Sequence, residues 1–272
     1  MPAVADSSRL LAQDIRQHYN DFAWVYRLYW GEHIHHGLFL CGNETPRQAQ
    51  ELLLRHCAGL ARIRTGMKVA DVGCGHGATA RFLAREYGCE VLGLTNSDVQ
   101  FKAAMKGAQS LSDPSAVRYE LADAENVAFP AAFFDVVWNM ESSEHFFDKP
   151  AYFRKAAAAL KPGGRLLLAA WTGPMRQELI REIAEIFLCP ELLTVQEYTS
   201  QIQSAGLRVL HAEDIGPQVA RTWDVCARYV RLAAPMLSAM PQKFRGFVRG
   251  IELMREGFRS GLLSYSILVA ER

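Results

Sequence analysis

The feature that most constrains the fold of this chain is a short apolar strand that runs into a glycine-rich turn. Residues 68–77 read KVADVGCGHG, with the carboxylate Asp71 near the end of the strand. Three glycines, Gly73, Gly75 and Gly77, follow at every second position. Glycine has no Cβ, so the backbone of such a turn can approach a ligand closely. The next helix directs its free N–H groups at the same place, so we expect a site for a nucleoside-containing ligand.

Strand and helix patterns alternate along the rest of the chain. The predicted strands are 67–72, 89–95, 117–121, 134–140, 165–171, 207–212 and 264–270. The predicted helices are 8–30, 47–62, 78–87, 97–109, 150–160, 176–188, 195–205, 221–237 and 242–260. Pro162-Gly163-Gly164 predicts a stop after the helix at 150–160. This rhythm predicts an α/β fold with a doubly wound, seven-stranded and mostly parallel sheet.

The domain organisation follows from the length and from the late helices. A chain of 272 residues can bury one sizeable core. We expect one domain over residues 1–272, with an N-terminal helical cap at 1–45 and a helical lid at 216–260 inserted before the last strand. Ligands of open α/β sheets bind at the carboxyl ends of the strands. The cap and the lid are therefore predicted to cover that edge.

Composition excludes several classes of partner. The net charge is +1, whereas binding to nucleic acid phosphates needs a dense basic face. No stretch approaches the ~20 apolar residues of a membrane span, so no stable membrane insertion is expected. The six cysteines lack C-x-x-C spacing and favour reduced thiols in a cytoplasmic protein without a disulfide framework. The sequence does not predict an oligomeric state.

Two kinds of cofactor compete for the glycine turn. Gly73 to Ala78 also fit G-x-G-x-x-A, a form of the fingerprint for nicotinamide and flavin dinucleotides. However, Asp71 would repel a pyrophosphate and attract an ammonium group. The second strand ends at Thr95-Asn96 without the carboxylate expected for a dinucleotide ribose, while Asp123 follows the third strand, where it can accept from an adenine amino group. These features favour S-adenosylmethionine, which has an amino acid end and no phosphate.

An ordered set of segments resembles the class I S-adenosylmethionine-dependent methyltransferases. The segments are DVGCGHG from residue 71, GLTNSDVQ from 93, ADA from 122, FDVVWNMESSEH from 134 and LKPGGRL from 160. The set is most similar to the branch of tocopherol C-methyltransferases, sterol C-methyltransferases and cyclopropane fatty acid synthases. WGEHIHHG from residue 30 resembles a W-G-D-H-x-H-H-G segment of the tocopherol group. The resemblance spans nearly the whole chain and implies a Rossmann-like methyltransferase fold that binds S-adenosylmethionine.

The cofactor-binding residues are predicted partly from chemistry and partly from this resemblance. Asp71 should orient the cofactor's ammonium group or a backbone N–H of the turn, and the resemblance implies that the glycines contact the methionine portion. The alternatives are ordinary: a helix-capping carboxylate at Asp71, strand-end capping at Thr95, and a solvated loop carboxylate at Asp123. The predicted set is Asp71, Gly73, Gly75, Thr95, Asn96, Gln100, Asp123, Ala124, Met140, His35 and His36.

Glu144 and His145 are the predicted catalytic residues. They follow the fourth strand, beside the expected position of the sulfonium, and the resemblance matches them to an E-H pair at the active site. Burial would raise the pKa of a carboxyl group there and suit it to proton chemistry. Either residue is expected to act as a base or to orient the substrate. The alternative is that both only pack against the lid.

The histidines and aromatic residues near the N-terminus have several interpretations. His33, His35 and His36 have poor spacing for tetrahedral coordination and no evident fourth ligand, so no metal is predicted. The resemblance implies that His35 and His36 close over the cofactor, and a surface turn is the alternative. An apolar substrate pocket or plain core is expected for the aromatic residues Tyr19, Trp24, Tyr29, Trp30 and Tyr265.

The sequence as a whole predicts methyl transfer from S-adenosylmethionine to a small, apolar organic acceptor. The first hypothesis is C-methylation of a prenylated phenol, a terpenoid, a sterol or a related natural product. N- or O-methylation of a small natural product is the alternative. A non-catalytic cofactor-binding module and a nicotinamide enzyme are two further hypotheses.

Overall fold

A single mixed sheet organises the computed structural model, which describes residues 13–21, 31–237 and 242–272. The strands are β1 (Lys68–Val72), β2 (Glu90–Thr95), β3 (Val117–Leu121), β4 (Phe134–Met140), β5 (Leu160–Thr172), β6 (Arg208–Asp214) and β7 (Ser264–Glu271). Their order in the sheet is β3-β2-β1-β4-β5-β7-β6. The strands β1 to β5 pair in parallel, and β7 runs antiparallel to both β5 and β6.

Helices connect and cover the strands. They are α1 (Pro46–Ala61), α2 (Ala78–Tyr87), α3 (Asp98–Ala108), α4 (Lys149–Ala159), α5 (Glu178–Ile186), α6 (Val195–Ser204), α7 (Gly216–Val219), α8 (Arg221–Leu237) and α9 (Gln242–Ser260). Residues 13–21 are also helical. Local capping fixes several starts: Thr45 and Gln48 form a capping box before α1, and Ser97 accepts from the Gln100 N–H at the start of α3.

The core lies on both faces of the sheet. In β5, Leu167 and Ala169 belong to the larger apolar cluster, whereas Leu166 and Leu168 belong to the cluster on the opposite face. Successive side chains of a strand point to opposite faces, so the apolar run of β5 is buried on both. The predicted doubly wound, mostly parallel seven-stranded sheet is confirmed.

Some element boundaries differ from the predictions. The part of the predicted helix 8–30 that the structure describes is helical over 13–21, and the remainder lies outside the described residues. β5 begins at Leu160, so the predicted strand start at 165 was wrong. Leu160 already pairs with Phe134, and the register shift that follows accommodates the Pro-Gly-Gly segment as a bulge. The short helix α7 was not predicted.

Helices α7 to α9 are inserted between β6 and β7 and reach the carboxyl ends of the strands. The ring of Trp223 in α8 lies 6.4 Å from the ring of Trp171 near the end of β5. Ile251 and Met254 of α9 are buried in the same cluster as Ile183 of α5. No helix in the described part of the chain is long and apolar enough to cross a membrane.

The turn after β1 depends on its glycines for internal packing. Gly73, Gly75 and Gly77 have φ angles of 77°, 53° and 72°. A Cβ at Gly73 would lie 2.3 Å from the Cβ of Ser142, and one at Gly77 would lie 2.5 Å from the hydroxyl oxygen of Tyr119. These distances are far below van der Waals contact. The glycines therefore allow side chains from the ends of β4 and β3 to lie directly on the turn.

We expect Gly73→Ala to destabilise the protein more than Gly163→Ala. The two glycines have similar positive φ angles, 77° and 75°, so both alanine substitutions carry the same backbone cost of about 1–2 kcal/mol. A Cβ at Gly163 meets nothing within 4 Å, whereas one at Gly73 collides with Ser142. The extra loss should be about 1–3 kcal/mol in urea unfolding followed by tryptophan fluorescence. Equal losses for the two variants would show that the approach of Ser142 imposes no constraint.

Candidate active site

Asp71 is a buried carboxylate in the middle of the sheet. It lies in register with Gly93 of β2 and Trp138 of β4 and is 3% exposed. Its Oδ2 atom has no hydrogen-bond partner among the described residues. Burial raises the pKa of Asp71 to about 7. A backbone hydrogen bond from Ala80 in α2 opposes this effect without cancelling it, so the helix-capping alternative is present at one oxygen while Oδ2 stays without a partner.

Three members of the predicted cofactor-binding set, at the end of β2 and the start of α3, lie next to the glycine turn. The Thr95 hydroxyl donates to Gln100 Oε1 at 2.9 Å, and both side chains are buried. A Cβ at Gly75 would lie 4.0 Å from Gln100 Nε2, so the Gln100 amide and the turn are neighbours. Asn96, between them in sequence, is half-buried. The structure thus brings the first turn and the end of β2 to one place.

The N-terminal helical segment also reaches this corner. Ser97 Oγ donates to Asn20 Oδ1 at 2.6 Å. Asn20 was not predicted as part of the site, because no local pattern connects residues 77 positions apart in the sequence. Its contact places residues 13–21 beside the end of β2 and the start of α3.

Asp123 is engaged within its own loop. Its Oδ1 accepts from the Glu125 N–H at 2.9 Å, and its Oδ2 accepts from Asn126 Nδ2 at 2.7 Å. Ala124, which follows it, is buried. Met140, also in the predicted set, is buried at the end of β4. The contact of these residues with adenine or sulfur stays a prediction.

Glu141 connects the end of β4 to two other segments through three hydrogen bonds. Its carboxylate accepts from the His36 N–H at 2.7 Å, from His36 Nδ1 at 3.0 Å and from the Tyr265 hydroxyl at 2.9 Å. Burial favours the neutral carboxyl, but the electrostatic effect of His36 and then its hydrogen bonds outweigh burial and hold the pKa of Glu141 below its usual value. Glu141 also adopts φ 52°, which is uncommon for a non-glycine residue. We did not single out this carboxylate from the sequence, although it lies in the same motif as Glu144.

His36 is fixed in one tautomer. Trp223 Nε1 lies 2.7 Å from His36 Nε2, and an indole nitrogen can only donate. Nε2 therefore accepts, and Nδ1 carries the proton that it donates to Glu141. Both ring nitrogens thus bind protein groups, which joins residues 33–39 to α8. The adjacent His35 is buried, with Nδ1 at 2.7 Å from the His36 carbonyl, and burial lowers its pKa.

Glu144 lies in the 3₁₀ turn Ser143–His145 and is 1% exposed. Its Oε1 accepts from the Trp171 N–H at 2.8 Å. Burial raises the pKa of Glu144 to about 8, despite the opposing effect of the Trp171 N–H. Near neutral pH this side chain is therefore a carboxylic acid, able to donate a hydrogen bond or to lose a proton as the pH rises.

His145, the other predicted catalytic residue, is paired with the N-terminal segment. Its Nε2 lies 2.9 Å from the Tyr19 hydroxyl, and its Nδ1 lies 3.3 Å from the Leu188 carbonyl. A carbonyl only accepts, so the proton belongs on Nδ1, and Nε2 accepts from Tyr19. Burial lowers the pKa of His145 to about 4. The imidazole is neutral at physiological pH, with its lone pair directed at Tyr19.

A metal site and a substrate pocket lined by aromatic residues were also considered from the sequence. Among the described residues, no three His, Cys, Asp or Glu side chains are arranged to hold a metal ion. Of the aromatic residues proposed for a substrate pocket, Tyr19 contacts His145 and Tyr265 contacts Glu141. Trp24, Tyr29 and Trp30 lie outside the described residues.

Comparison with known proteins gives consistent similarities. The model of the mycolic acid cyclopropane synthetase family matches residues 7–259. The chain is 28% identical to tocopherol O-methyltransferase, chloroplastic, of Arabidopsis thaliana in an alignment 298 residues long. That alignment covers 99% of this chain and 85% of the relative. It is 27% identical to 2-methyl-6-phytyl-1,4-hydroquinone methyltransferase of Synechocystis sp. (strain ATCC 27184 / PCC 6803 / Kazusa), over 91% of this chain and 83% of that protein.

A solved structure supports the same fold. Mycolic acid cyclopropane synthase CmaA1, complexed with SAH and CTAB, superposes with a TM-score of 0.87 at 20% identity. The superposition covers 96% of this chain and 98% of that one. The seven-stranded sheet, with β7 reversed between β5 and β6, is therefore a Rossmann-like methyltransferase architecture.

Asp71→Asn is expected to change how the stability of the ligand-free protein depends on pH. Burial raises the pKa of Asp71 from 3.8 to about 7, so between these values the folded state holds a proton that the unfolded chain has released. Stability should therefore fall as pH rises through that range. The asparagine cannot ionise, so urea midpoints at about pH 5 and about pH 8 should differ less for the variant than for the wild type. The same fall in both proteins would contradict burial of a neutral Asp71.

Proposed function

The chain belongs to the mycolic acid cyclopropane synthetase family and is an S-adenosylmethionine-dependent methyltransferase, and we propose on this basis that it methylates a small, apolar organic acceptor. S-adenosylmethionine supplies a methyl group already activated by a sulfonium. The protein has to bind the two reactants in line, exclude water and remove a proton where the acceptor carries one. The observation that carries the proposal is the pair of Glu144, which is buried, and His145, which is half-buried, just after the end of β4 and beside the Asp71 strand.

The cofactor is proposed to bind across the carboxyl ends of β1, β2 and β4. The unpaired Oδ2 of Asp71 supports an ionic contact with the ammonium group. The neighbouring Gln100 amide and glycine turn support a ribose contact from the end of β2. Asp123 and Ala124 are proposed for the adenine, and Met140 for the region of the sulfur. His35 is proposed to cover the cofactor, with His36 acting through its bonds to Glu141 and Trp223.

Residues 31–45 and helices α7 to α9 are proposed to form the cap over these groups. Gly37 N donates to Thr222 Oγ1 at 3.1 Å, and Phe39 N donates to the Gln218 carbonyl at 3.0 Å. These bonds join the N-terminal segment to the inserted helices. A cap built from both ends of the chain would exclude water from the reacting groups. The six cysteines are free thiols, which favours a reducing compartment such as the cytoplasm.

The acceptor is proposed to be a prenylated phenol, a terpenoid, a sterol or a related natural product, methylated at carbon. The name of the Synechocystis relative specifies a phytyl hydroquinone. Buried aromatic rings at the carboxyl end of the sheet, those of Trp171, Phe187 and Trp223, suit an apolar partner. O-methylation is the second candidate, because the Arabidopsis relative is named an O-methyltransferase.

His145 is proposed as the proton acceptor and Glu144 as the residue that orients the acceptor. The Nε2 lone pair of the neutral His145 accepts from the Tyr19 hydroxyl at neutral pH, so this hydroxyl can pass its proton to Nε2 while it takes one from the acceptor. Glu144 is held by the Trp171 N–H and carries its own proton at that pH. The proton released by the acceptor would therefore reach Nε2 through the hydroxyl of Tyr19.

Labelled-methyl transfer tests the activity. The protein is incubated with S-adenosylmethionine carrying a ¹³C methyl group and a panel of prenylated hydroquinones, terpenoids and sterols. We expect a labelled product, and the ¹³C chemical shift separates a C-methyl from an O-methyl group. His145→Asn should lower kcat by about 10²–10⁴-fold while the calorimetric affinity for S-adenosylhomocysteine changes little. Binding of S-adenosylhomocysteine without product from any acceptor would instead favour a non-catalytic binding module, and binding of NAD alone would contradict the cofactor.

The pH dependence of kcat/KM distinguishes the two residues. With His145 as the base, the rate should be flat from about pH 6 to about pH 7, because the pKa of its imidazole is about 4. With Glu144 as the base, the rate should rise as pH passes its pKa of about 8. We expect the flat profile, and we expect Glu144→Gln to keep it. A tenfold rise per pH unit below pH ~8, abolished in Glu144→Gln, would reassign the base to Glu144.

A further inference from the structure

Lys149 is a charged residue inside the protein, next to the proposed catalytic turn. It is the first residue of α4 and is 2% exposed. Its Nζ donates to the Phe146 carbonyl at 2.8 Å and to the Glu144 carbonyl at 3.4 Å. These two carbonyls flank His145. The ammonium therefore holds the backbone on both sides of the residue proposed as the base.

The turn itself is short and has few bonds of its own. His145 N donates to the Ser142 carbonyl, and Phe146 N donates to the Ser143 carbonyl, each at 3.1 Å. The Ser143 N–H donates to Asn139 Oδ1 at 3.2 Å. A 3₁₀ turn of this length has poor hydrogen-bond geometry compared with an α-helix. Its shape therefore depends on outside groups, and Lys149 supplies two of the bonds.

Burying a charge needs compensation, which an apolar side chain of similar length would not require. The partners of Lys149 named above are neutral carbonyl oxygens rather than carboxylates. A methionine would fill the same space without the desolvation cost of an ammonium. We therefore look for the role of the charge in the groups that surround it, which are the backbone carbonyls of the turn.

We propose that Lys149 is a positioning residue of the active site, whose buried ammonium fixes the turn 143–146 and places a positive charge beneath Glu144 and His145. The proposal rests on the proposed function, because those two side chains are the pair expected to orient the acceptor and take its proton. A fixed turn keeps the Glu144 carboxyl at the Trp171 N–H and the His145 ring at the Tyr19 hydroxyl. The positive charge limits how far burial raises the pKa of Glu144, and it adds to the burial that keeps His145 neutral.

The electrostatic setting agrees with this role. Burial is the largest influence on both pKa values, raising that of Glu144 to about 8 and lowering that of His145 to about 4, and the Lys149 charge lowers both. Burial also lowers the pKa of Lys149 itself. The titratable groups that these effects name come from four stretches of the chain and are Cys189 with Glu191, Glu125, Glu141 and His18.

The test compares three variants of the full-length, ligand-free protein. Lys149→Met removes the charge and both hydrogen bonds. Lys149→Gln removes the charge but keeps an amide donor, so it separates the two effects. Lys161→Met is the matched control, because Lys161 lies at the start of β5, is 39% exposed and pairs with Asp135 at 2.8 Å, away from the turn.

The main readout is the titration of the Glu144 carboxyl carbon by ¹³C NMR, with Glu144→Gln used to assign the resonance. We expect Lys149→Met and Lys149→Gln to raise the Glu144 midpoint by roughly one pH unit and Lys161→Met to leave it unchanged. A protein in which Lys149 is only a filler of space would show no such shift. If Lys149→Met does not fold, Lys149→Gln still tests whether loss of the charge raises the Glu144 midpoint.

Backbone hydrogen exchange of His145 and Phe146 reports on the turn. Lys149→Met should speed exchange of these two amides by about tenfold, and Lys149→Gln should speed it less. An unchanged Glu144 midpoint in both variants, or unchanged exchange in Lys149→Met, would overturn the proposal. Neither measurement needs an acceptor or turnover, so failure of the proposed methyl transfer would be seen separately in the labelling experiment.

Discussion

The arrangement of the site depends on the carboxylate of Glu141, which is largely buried and accepts hydrogen bonds at both of its oxygens. Glu141 lies where β4 ends, and its oxygens bind the backbone and ring of His36 and the hydroxyl of Tyr265. Those partners are 105 and 124 positions away in the sequence. Through His36 the connection continues to Trp223 in α8. The N-terminal segment, the central strand, the last strand and the inserted helices are therefore fixed relative to one another by a single charged group.

Three buried carboxyl groups near this point have different protonation behaviour, and their partners explain why. Asp71 has an unpartnered oxygen, and burial raises its pKa to about 7. Glu144 has one backbone donor, and burial raises its pKa to about 8. Glu141 has three donors, and its pKa lies below the usual value. Burial favours the neutral acid in all three, and only at Glu141 do the electrostatic effect and the hydrogen bonds of a neighbour, His36, outweigh it.

Much of this architecture could be predicted from the sequence, because the signals are local. The strand and glycine turn at 68–77, the alternation of strands and helices, and the helices α8 and α9 all produce short-range periodicity. The start of β5 was missed, since proline and glycine usually end an element, whereas here a register shift accommodates them. The pairing of Tyr19 with His145 could not be predicted from the sequence, for a different reason. It joins residues 126 positions apart, and no pattern in one sequence encodes such a contact.

The place of β7 in the sheet has a consequence for how the chain is made. β6 is synthesised 50 residues before Ser264, yet its neighbour in the sheet is β7, which must insert between it and β5. β7 is the pairing partner of both β5 and β6. Until β7 leaves the ribosome, one apolar edge of β5 is unpaired, and β6 has no strand to pair with. An unpaired apolar edge favours association with other chains. The nascent protein therefore passes through a period in which a holding chaperone would protect it, and that period covers the translation of α7 to α9 and ends when β7 has emerged.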